Sequence, residues 1–298
     1  MDRPQPRLLH CTVPPEKNGR TVKGLLKSEF HMAEGYIAAL KLRPEGILLD
    51  GEGVHTRTPV HAGQLLTVRV DDPGERNEAA PIPCPLSVLY EDADLAVIDK
   101  PAGMLVHGPE GKGAPTLANA LAARWDGASF HPVHRLDRGT SGLIVVAKSR
   151  YVSELLRRSL HTEDFIREYL ALAVGQPEPA SGSLTMPIGP CEGERPRRCV
   201  RSDGQAARTD YETLAVFPGG SLLRLRLFTG RSHQIRVHLS AIGHPLFGDA
   251  LYGGPAELPR PALHSAFLRL RQPVTGELLH LHAPLPPDLQ AFLDKKNA

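Results

Sequence analysis

Two hydrophobic periods alternate along the chain. Val22, Leu25 and Leu26, then Ile37 and Leu40, recur at three- and four-residue spacing, which predicts two short helices. Gly46-Ile-Leu-Leu-Asp-Gly51 and Gly63-Gln-Leu-Leu-Thr-Val-Arg-Val70 follow as short apolar runs between turn residues, and predict two strands of a small hairpin. From Asp71 to Pro85 the apolar pattern lapses, and Pro73-Gly74, Pro81, Pro83 and Pro85 stand among charged and small residues. Such a stretch is poor core and good linker. The expectation is a small unit over 1–72, a linker over 73–85 and a larger unit over 86–298.

In the larger unit, Leu95 to Ile98 reads as a buried strand that ends in the turn Asp99-Lys-Pro-Ala-Gly103. Thr116 is placed to cap a helix whose Leu117, Ala120, Leu121 and Trp125 share one face. Tyr151 to His161 is a second amphipathic helix, with Val152, Leu155, Leu156 and Leu160 inward and Arg157 and Arg158 outward. Leu143 to Ala147 and Arg167 to Val174 suit strands. Leu223, Leu225 and Leu227 alternate with Arg224 and Arg226, so one face of that strand is buried and the other is offered to water or a ligand. Strands and helices interleave without a regular βαβ repeat, and hairpin-like pairs dominate the second half. That pattern predicts an α+β fold with a mostly antiparallel sheet.

The 298 residues exceed one average domain and fall short of three, and 28 Gly with 28 Pro imply many turns. A formal net charge of +2 is too mild to imply a polyanionic partner, so the placement of the arginines matters more. Between Arg195 and Arg208 there are five (195, 197, 198, 201 and 208) against the single acid Asp203, in a segment that reads as an exposed hairpin. It is either a nucleic-acid clamp or a solvated loop, since phosphate binding leaves no stricter signature than accessible basic side chains. Arg224 to His238 adds four more arginines and no acid. Cys11, Cys84, Cys191 and Cys199 form no C-x-x-C pair, the N-terminus has no apolar signal core, and no run approaches the roughly 18 apolar residues of a membrane span. These features predict a reduced, cytoplasmic protein.

The chemistry centres on His131-Pro-Val-His-Arg-Leu-Asp-Arg-Gly-Thr-Ser-Gly142, which sets Asp137 between Arg135 and Arg138 ahead of an apolar strand. An acid on such a loop is displayed rather than buried, and the three charges are either a solvated cluster or a working site. His131, His134, His233, His238 and His244 raise the question of a metal-dependent hydrolase. Their spacing argues against it, because His131 and His134 flank a proline rather than share a helix face, and no second acidic ligand accompanies them at a useful spacing.

His134-Arg-Leu-Asp-Arg-Gly-Thr-Ser-Gly-Leu143, Arg167-Glu-Tyr169, Thr229-Gly-Arg-Ser-His-Gln-Ile-Arg-Val-His238 and Gly243-His-Pro-Leu-Phe-Gly-Asp249, with Asp99-Lys-Pro-Ala-Gly103 and Leu263-His-Ser265, resemble the RluA-type (RluA/RluD) pseudouridine synthases. The resemblance covers most of residues 86 to 285. It implies a long bent, mostly antiparallel mixed sheet with a central RNA cleft. It also implies isomerisation of a uridine within RNA without metal or other cofactor: the N-glycosidic bond breaks, the base turns, and C5 rejoins the ribose. Asp137 matches the family's catalytic aspartate, and Arg236 the arginine that pairs with it; a nearby cation favours the ionised carboxylate. Tyr169 matches the tyrosine that stacks on the target base, worth about 1–3 kcal/mol for such a contact. Arg135 matches the residue that enters the stack when the base leaves. His134, Arg138, Arg231 and His233 lie within the same motifs and are expected at the substrate. Arg167 departs from the lysine common two residues before the tyrosine, which keeps the charge but presents donors differently.

Residues 1–72 resemble, in outline, the small RNA-binding domain named after the fourth small-subunit ribosomal protein. Ala33 and Glu34 stand where that family places a Ser-Arg pair, and residues 1–71 hold ten Lys or Arg against eight Asp or Glu, so the shape is expected to persist with weakened RNA affinity. The resemblance thus implies an RNA pseudouridine synthase acting on ribosomal RNA ahead of transfer RNA; the apolar pattern places it off the membrane, and a monomer is expected. A catalytically silent RNA-binding protein on the same fold is the alternative; loss of Asp137 or Arg236 would favour it, and both are present.

Overall fold

The computed structural model describes residues 6–72, 78–108, 114–193 and 196–298. The Pro73-Gly74 turn of the expected linker and Arg195 of the expected hairpin lie outside them. Among the described residues, β1 (Leu8–Thr12), β2 (Ile47–Leu49), β3 (Glu52–Gly53) and β4 (Leu65–Arg69) form a four-stranded sheet in the order β1-β4-β2-β3. Helices α1 (Val22–Ser28) and α2 (Glu34–Leu40) cover it through Val22, Leu25, Leu26, Ile37 and Leu40, the residues whose helical spacing marks them, and through Tyr36. The predicted hairpin is β2 with β4; β1, which the sequence pattern does not announce, adds antiparallel to β4.

A second, ten-stranded sheet contains β5 (Ser87–Glu91), β6 (Leu95–Lys100), β7 (His131–Pro132), β8 (Ser141–Ala147), β9 (Phe165–Val174), β10 (Ser181–Leu184), and, after the short separate pair β11 (Ile188–Pro190) and β12 (Arg198–Val200), β13 (Thr209–Phe217), β14 (Gly220–Leu227), β15 (Leu263–Arg271) and β16 (Leu278–His282). The order is β10-β13-β14-β9-β15-β8-β6-β5, with β16 added to β15 and β7 to β8. All these contacts are antiparallel except β15 with β8. This mixed, mostly antiparallel sheet is the one expected. Helices α3 (Leu117–Arg124), α4 (Arg150–Ser159), α5 (Gln234–Ala241) and α6 (Pro287–Asn297) complete the fold. Thr116 caps α3 in a capping box with Asn119, whose side chain also donates to Ala80 O at 2.8 Å and so pins the upstream segment to the helix.

The two sheets share one continuous apolar cluster. Val22, Leu25 and Leu66 of the small sheet's layer belong to it, as do Leu95, Val97, Leu143 and Tyr151 of the large one. Asp72, just ahead of the expected linker, is buried; its carboxylate meets Arg43 at 3.3 Å and His131 Nε2 at 3.0 Å, and accepts from Arg150 N at 2.7 Å. His131 opens the stretch that leads to Asp137, so the small unit is clamped to the strand that feeds the central loop. The basic hairpin also differs from the expected one. Its pairing is β11 with β12, and beyond it Arg201 is held bidentately by Asp203, and Arg208 by Asp210, pairings that a count of charge does not reveal.

The parallel contact of β8 and β15 sits at the centre of the molecule, where Gly142 faces Ser265. Gly142 has φ +105, and a Cβ there would stand 2.2 Å from Ser265 O. Only glycine allows both the conformation and the approach. Gly142→Ala is expected to lower the unfolding free energy by about 3 kcal/mol, read by urea denaturation; a loss below 1 kcal/mol would mean that the crossing relaxes freely.

Candidate active site

The strand-to-loop junctions of the large sheet converge on Asp137. The turn before β8 is closed by Thr140 N donating to Asp137 O at 3.1 Å, and Arg260 Nη1 donates to Gly139 O at 3.1 Å while its fork is held by Asp288. Tyr169 comes from β9, beside Ser265 of β15 and Leu225 of β14. Arg236 comes from α5. The start of that helix is set by Gln234, whose Oε1 accepts from Arg231 N and Thr229 Oγ1 and whose Nε2 donates to Arg208 O. The Gln of Ser-His-Gln-Ile-Arg therefore orders the Thr229-Gly-Arg-Ser loop. His233 occupies the N-cap with φ 59 and offers no side-chain cap, so the helix carries no recognisable start signal in the sequence.

Arg236 is buried and gives its full fork to a residue to which the sequence motifs assign no role: Nε and Nη2 donate to Asp249 Oδ2 and Oδ1, both at 2.7 Å. Its remaining Nη1 reaches Asp137 Oδ2 at 3.4 Å, and its guanidinium lies 4.9 Å over the Tyr252 ring. Such a bidentate match is what makes a buried arginine tolerable, and it aims the third nitrogen. His233 Nε2 is 3.9 Å from the same Asp137 oxygen, and its Nδ1 is 2.8 Å from Tyr252 Oη.

A cleft of about 430 Å³ opens in front of Asp137, lined by Arg135, Arg157, Arg167, Arg231, His134 and Tyr169 among others; Asp137 is its one acidic lining residue among those described. Arg135 is exposed there. Arg167 is buried, its Nε has no partner among the described residues, and burial pushes its guanidinium down. A buried cation so thinly paired suits an anionic ligand. Arg231 lines this cleft and a neighbouring one of about 350 Å³ that also takes in Arg198 and Arg201. His134 lines the cleft too, but its Nε2 accepts from Val145 N at 3.3 Å and burial pushes its pKa down to about 3, so it stays neutral and supports the strand. Arg138, expected at the substrate, donates from Nε to Gly103 O at 3.0 Å and ties the Asp99-Lys-Pro-Ala-Gly103 turn to the loop. Burial pushes the Tyr169 phenol up, keeping it protonated.

The five histidines weighed as metal ligands are dispersed. His131 binds Asp72, His134 Val145, His233 Tyr252, His238 Met186 and Thr209, and His244 Val174. Among the described residues no three His, Cys, Asp or Glu side chains gather as a metal site would require, and no helix is long and apolar enough to cross a membrane.

Residues 94–241, which carry Asp137, Tyr169, His233 and Arg236, match the RNA pseudouridylate synthase family. The chain is 36% identical to the ribosomal large subunit pseudouridine synthase D of Xanthomonas campestris, over 96% of this chain and 92% of that protein. It is 39% identical to the protein of the same name from Vibrio parahaemolyticus, over 83% of this chain and 82% of that one. Among solved structures it is similar to human RNA pseudouridylate synthase domain containing 4, with TM-score 0.58 and 26% identity over 70% of this chain and 92% of that one. The chain belongs to the RNA pseudouridylate synthase family, of the RluA type: an isomerase that converts uridine in RNA to pseudouridine.

Lys100, second residue of the Asp99-Lys-Pro-Ala-Gly103 turn, is fully buried behind the loop, with Nζ donating to Pro101 O at 2.8 Å and Met104 O at 2.9 Å. Burial pushes its ammonium down to about 8, Arg260 acting in the same sense and Asp137 and Asp99 opposing. An unfolded lysine keeps its proton to about pH 10.4. Between these values the unfolded chain binds more protons, so this group makes the fold more stable as pH rises. The stability difference between wild type and Lys100→Met is therefore expected to shift in favour of wild type by about 3 kcal/mol between pH 8 and 10.5, measured by denaturant titration at each pH. A difference independent of pH would show that Lys100 titrates in the fold as it does in the unfolded chain.

Proposed function

We propose that the protein isomerises uridines of large-subunit ribosomal RNA, with Asp137 as the catalytic carboxylate. The observation that carries this reading is the cleft itself, where a single acid stands among Arg135, Arg157, Arg167 and Arg231. Such a lining attracts a phosphate backbone and leaves one carboxylate to act on the sugar. Asp137, beside Arg236, attacks the ribose or removes its 2′ proton; Tyr169 stacks on the flipped base; Arg135 fills the gap left in the RNA stack. Arg231, His134, His233 and Arg138 serve as binding or supporting residues around them. The names of the relatives support ribosomal RNA ahead of transfer RNA. In this reading the protein is a cytoplasmic monomer, and residues 1–72 are a divergent RNA-binding domain joined through 73–85 to the catalytic domain, 86–298.

Pseudouridine mapped in total ribosomal and transfer RNA from cells lacking the protein tests the proposal directly. One or a few large-subunit sites are expected to vanish, to return with the wild type and to stay absent with Asp137→Ala. Restoration by Asp137→Ala would remove the carboxylate from its role, and loss confined to transfer RNA would move the substrate. For binding, Arg157→Ala with Arg231→Ala is expected to weaken RNA affinity and make the log–log salt slope shallower by about 1 to 2, one phosphate contact per arginine, in titrations from 50 to 200 mM salt.

A further inference from the structure

Tyr252 has two hydrogen-bond partners that the roles above leave unexplained. The residue is buried, its Oη accepts from the amide of Arg198 at 2.9 Å, and it lies 2.8 Å from His233 Nδ1. A tyrosine hydroxyl has one proton. With the amide of Arg198 directed at its oxygen, that proton goes to His233 Nδ1. The opposite arrangement would direct two N–H groups at the oxygen, with no hydrogen bond from the buried phenolic proton to any other acceptor shown among the described residues. The imidazole's own proton then belongs on Nε2, the atom 3.9 Å from Asp137 Oδ2. Burial pushes the imidazole down and the phenol up, so near neutral pH both stay uncharged and one proton is shared between Oη and Nδ1.

We propose that Tyr252 is a positioning residue that sets the tautomer of His233, so that a neutral imidazole presents Nε2–H to Asp137 Oδ2. The proposal rests on the reading of Asp137 as the catalytic carboxylate. Arg236 Nη1 approaches the same oxygen at 3.4 Å, and among the described residues no hydrogen bond falls on Oδ1. Two donors on Oδ2 hold the carboxylate's rotation and leave Oδ1 for the ribose. The 3.9 Å separation closes to a hydrogen bond when substrate fills the cleft, since catalytic contacts are commonly long in the empty site. His233 has a left-handed backbone at the start of α5, and its ring stands between Tyr252 Oη and Asp137 Oδ2. The amide that orients Tyr252 belongs to β12 in the basic hairpin, so the placement of that hairpin is felt, through one phenol and one imidazole, at the working carboxylate.

Tyr252→Phe removes the hydroxyl and keeps the ring beneath Arg236. Single-turnover rates on the RNA substrate are expected to fall about tenfold with RNA affinity unchanged, the cost usual for a residue that orients another functional group. His233→Ala should fall similarly. His233→Gln, whose amide N–H stands in for Nε2–H and has no tautomer to set, should recover part of that loss, and adding Tyr252→Phe to it should cost nothing further. Full activity of Tyr252→Phe, or the same loss on the Gln background as in wild type, would overturn the proposal, because a merely structural phenol would act alike in both. The ¹⁵N shifts of the His233 ring in the unaltered protein read the tautomer without any variant: protonation at Nε2 is required, and protonation at Nδ1 refutes it. Asp137→Asn run in parallel keeps the two readings apart, since its full activity would overturn the role of Asp137 whatever the tautomer of His233.

Discussion

Everything at this site depends on how one buried guanidinium divides its donors. Arg236 spends its fork on Asp249, itself buried, and has one nitrogen left for Asp137. An unpaired arginine at that depth would be prohibitively unfavourable, and an arginine neutralised by Asp137 alone would tie up the carboxylate that has to react. Two carboxylates on one cation resolve this. The structural acid satisfies the charge, and the displayed acid receives a single, longer contact. The geometry of Asp249 is in turn fixed by its turn, where its amide donates to Leu246 O and its carbonyl accepts from Gly254 N. A Cβ on Gly254 would stand 1.9 Å from Leu246 O, so that turn admits no other residue.

Around this pair the protein concentrates positive charge that its own acids do not fully answer. Lys100 is buried behind the loop with carbonyl partners, and Arg167 lies in the cleft wall with one nitrogen unpartnered among the described residues. Both are held below their ordinary pKa by burial. Such groups cost stability in the empty protein and are compensated when a polyanion arrives, which is the electrostatic logic expected of an enzyme whose substrate is RNA. The basic hairpin adds less than its arginine count implies, since Arg201 and Arg208 are largely answered by Asp203 and Asp210. The small N-terminal unit is no loose appendage: the buried Asp72 and a shared apolar cluster join it to the strand that leads into the Asp137 loop.

Much of this was legible in the chain. Apolar periodicity located α1, α2, α3 and α4 and the cores of β6, β8, β9 and β14, because each of these buries one face and shows it as spacing. The start of α5 was hidden, since His233 begins it from a left-handed backbone with no capping side chain. Strand β1 was hidden too, having only half-buried apolar residues on an edge. At the site, the motifs brought out Asp137, Arg236, Tyr169 and Arg135, and the structure gathers all four at one cleft and its wall. They gave no role to Asp249, Tyr252 or Lys100, although each stands inside a quoted or adjoining motif, because an acid, a phenol and an amine are common residues until their partners are known.

The sequence by itself therefore determined most of the elements that bury one face and which kinds of side chain are available to the chemistry, since local periodicity and motif identity are properties of neighbours in the chain. The tertiary structure alone decided that Arg236 answers Asp249 first and Asp137 second, that Arg138 binds Gly103 O, and that His233 meets Tyr252. The reason is physical. Arg236 and Asp137 are 99 residues apart, and which oxygen faces which nitrogen is set by the crossing of β8 with β15 and the seating of α5, neither of which leaves a periodic trace in the residues that make the contact.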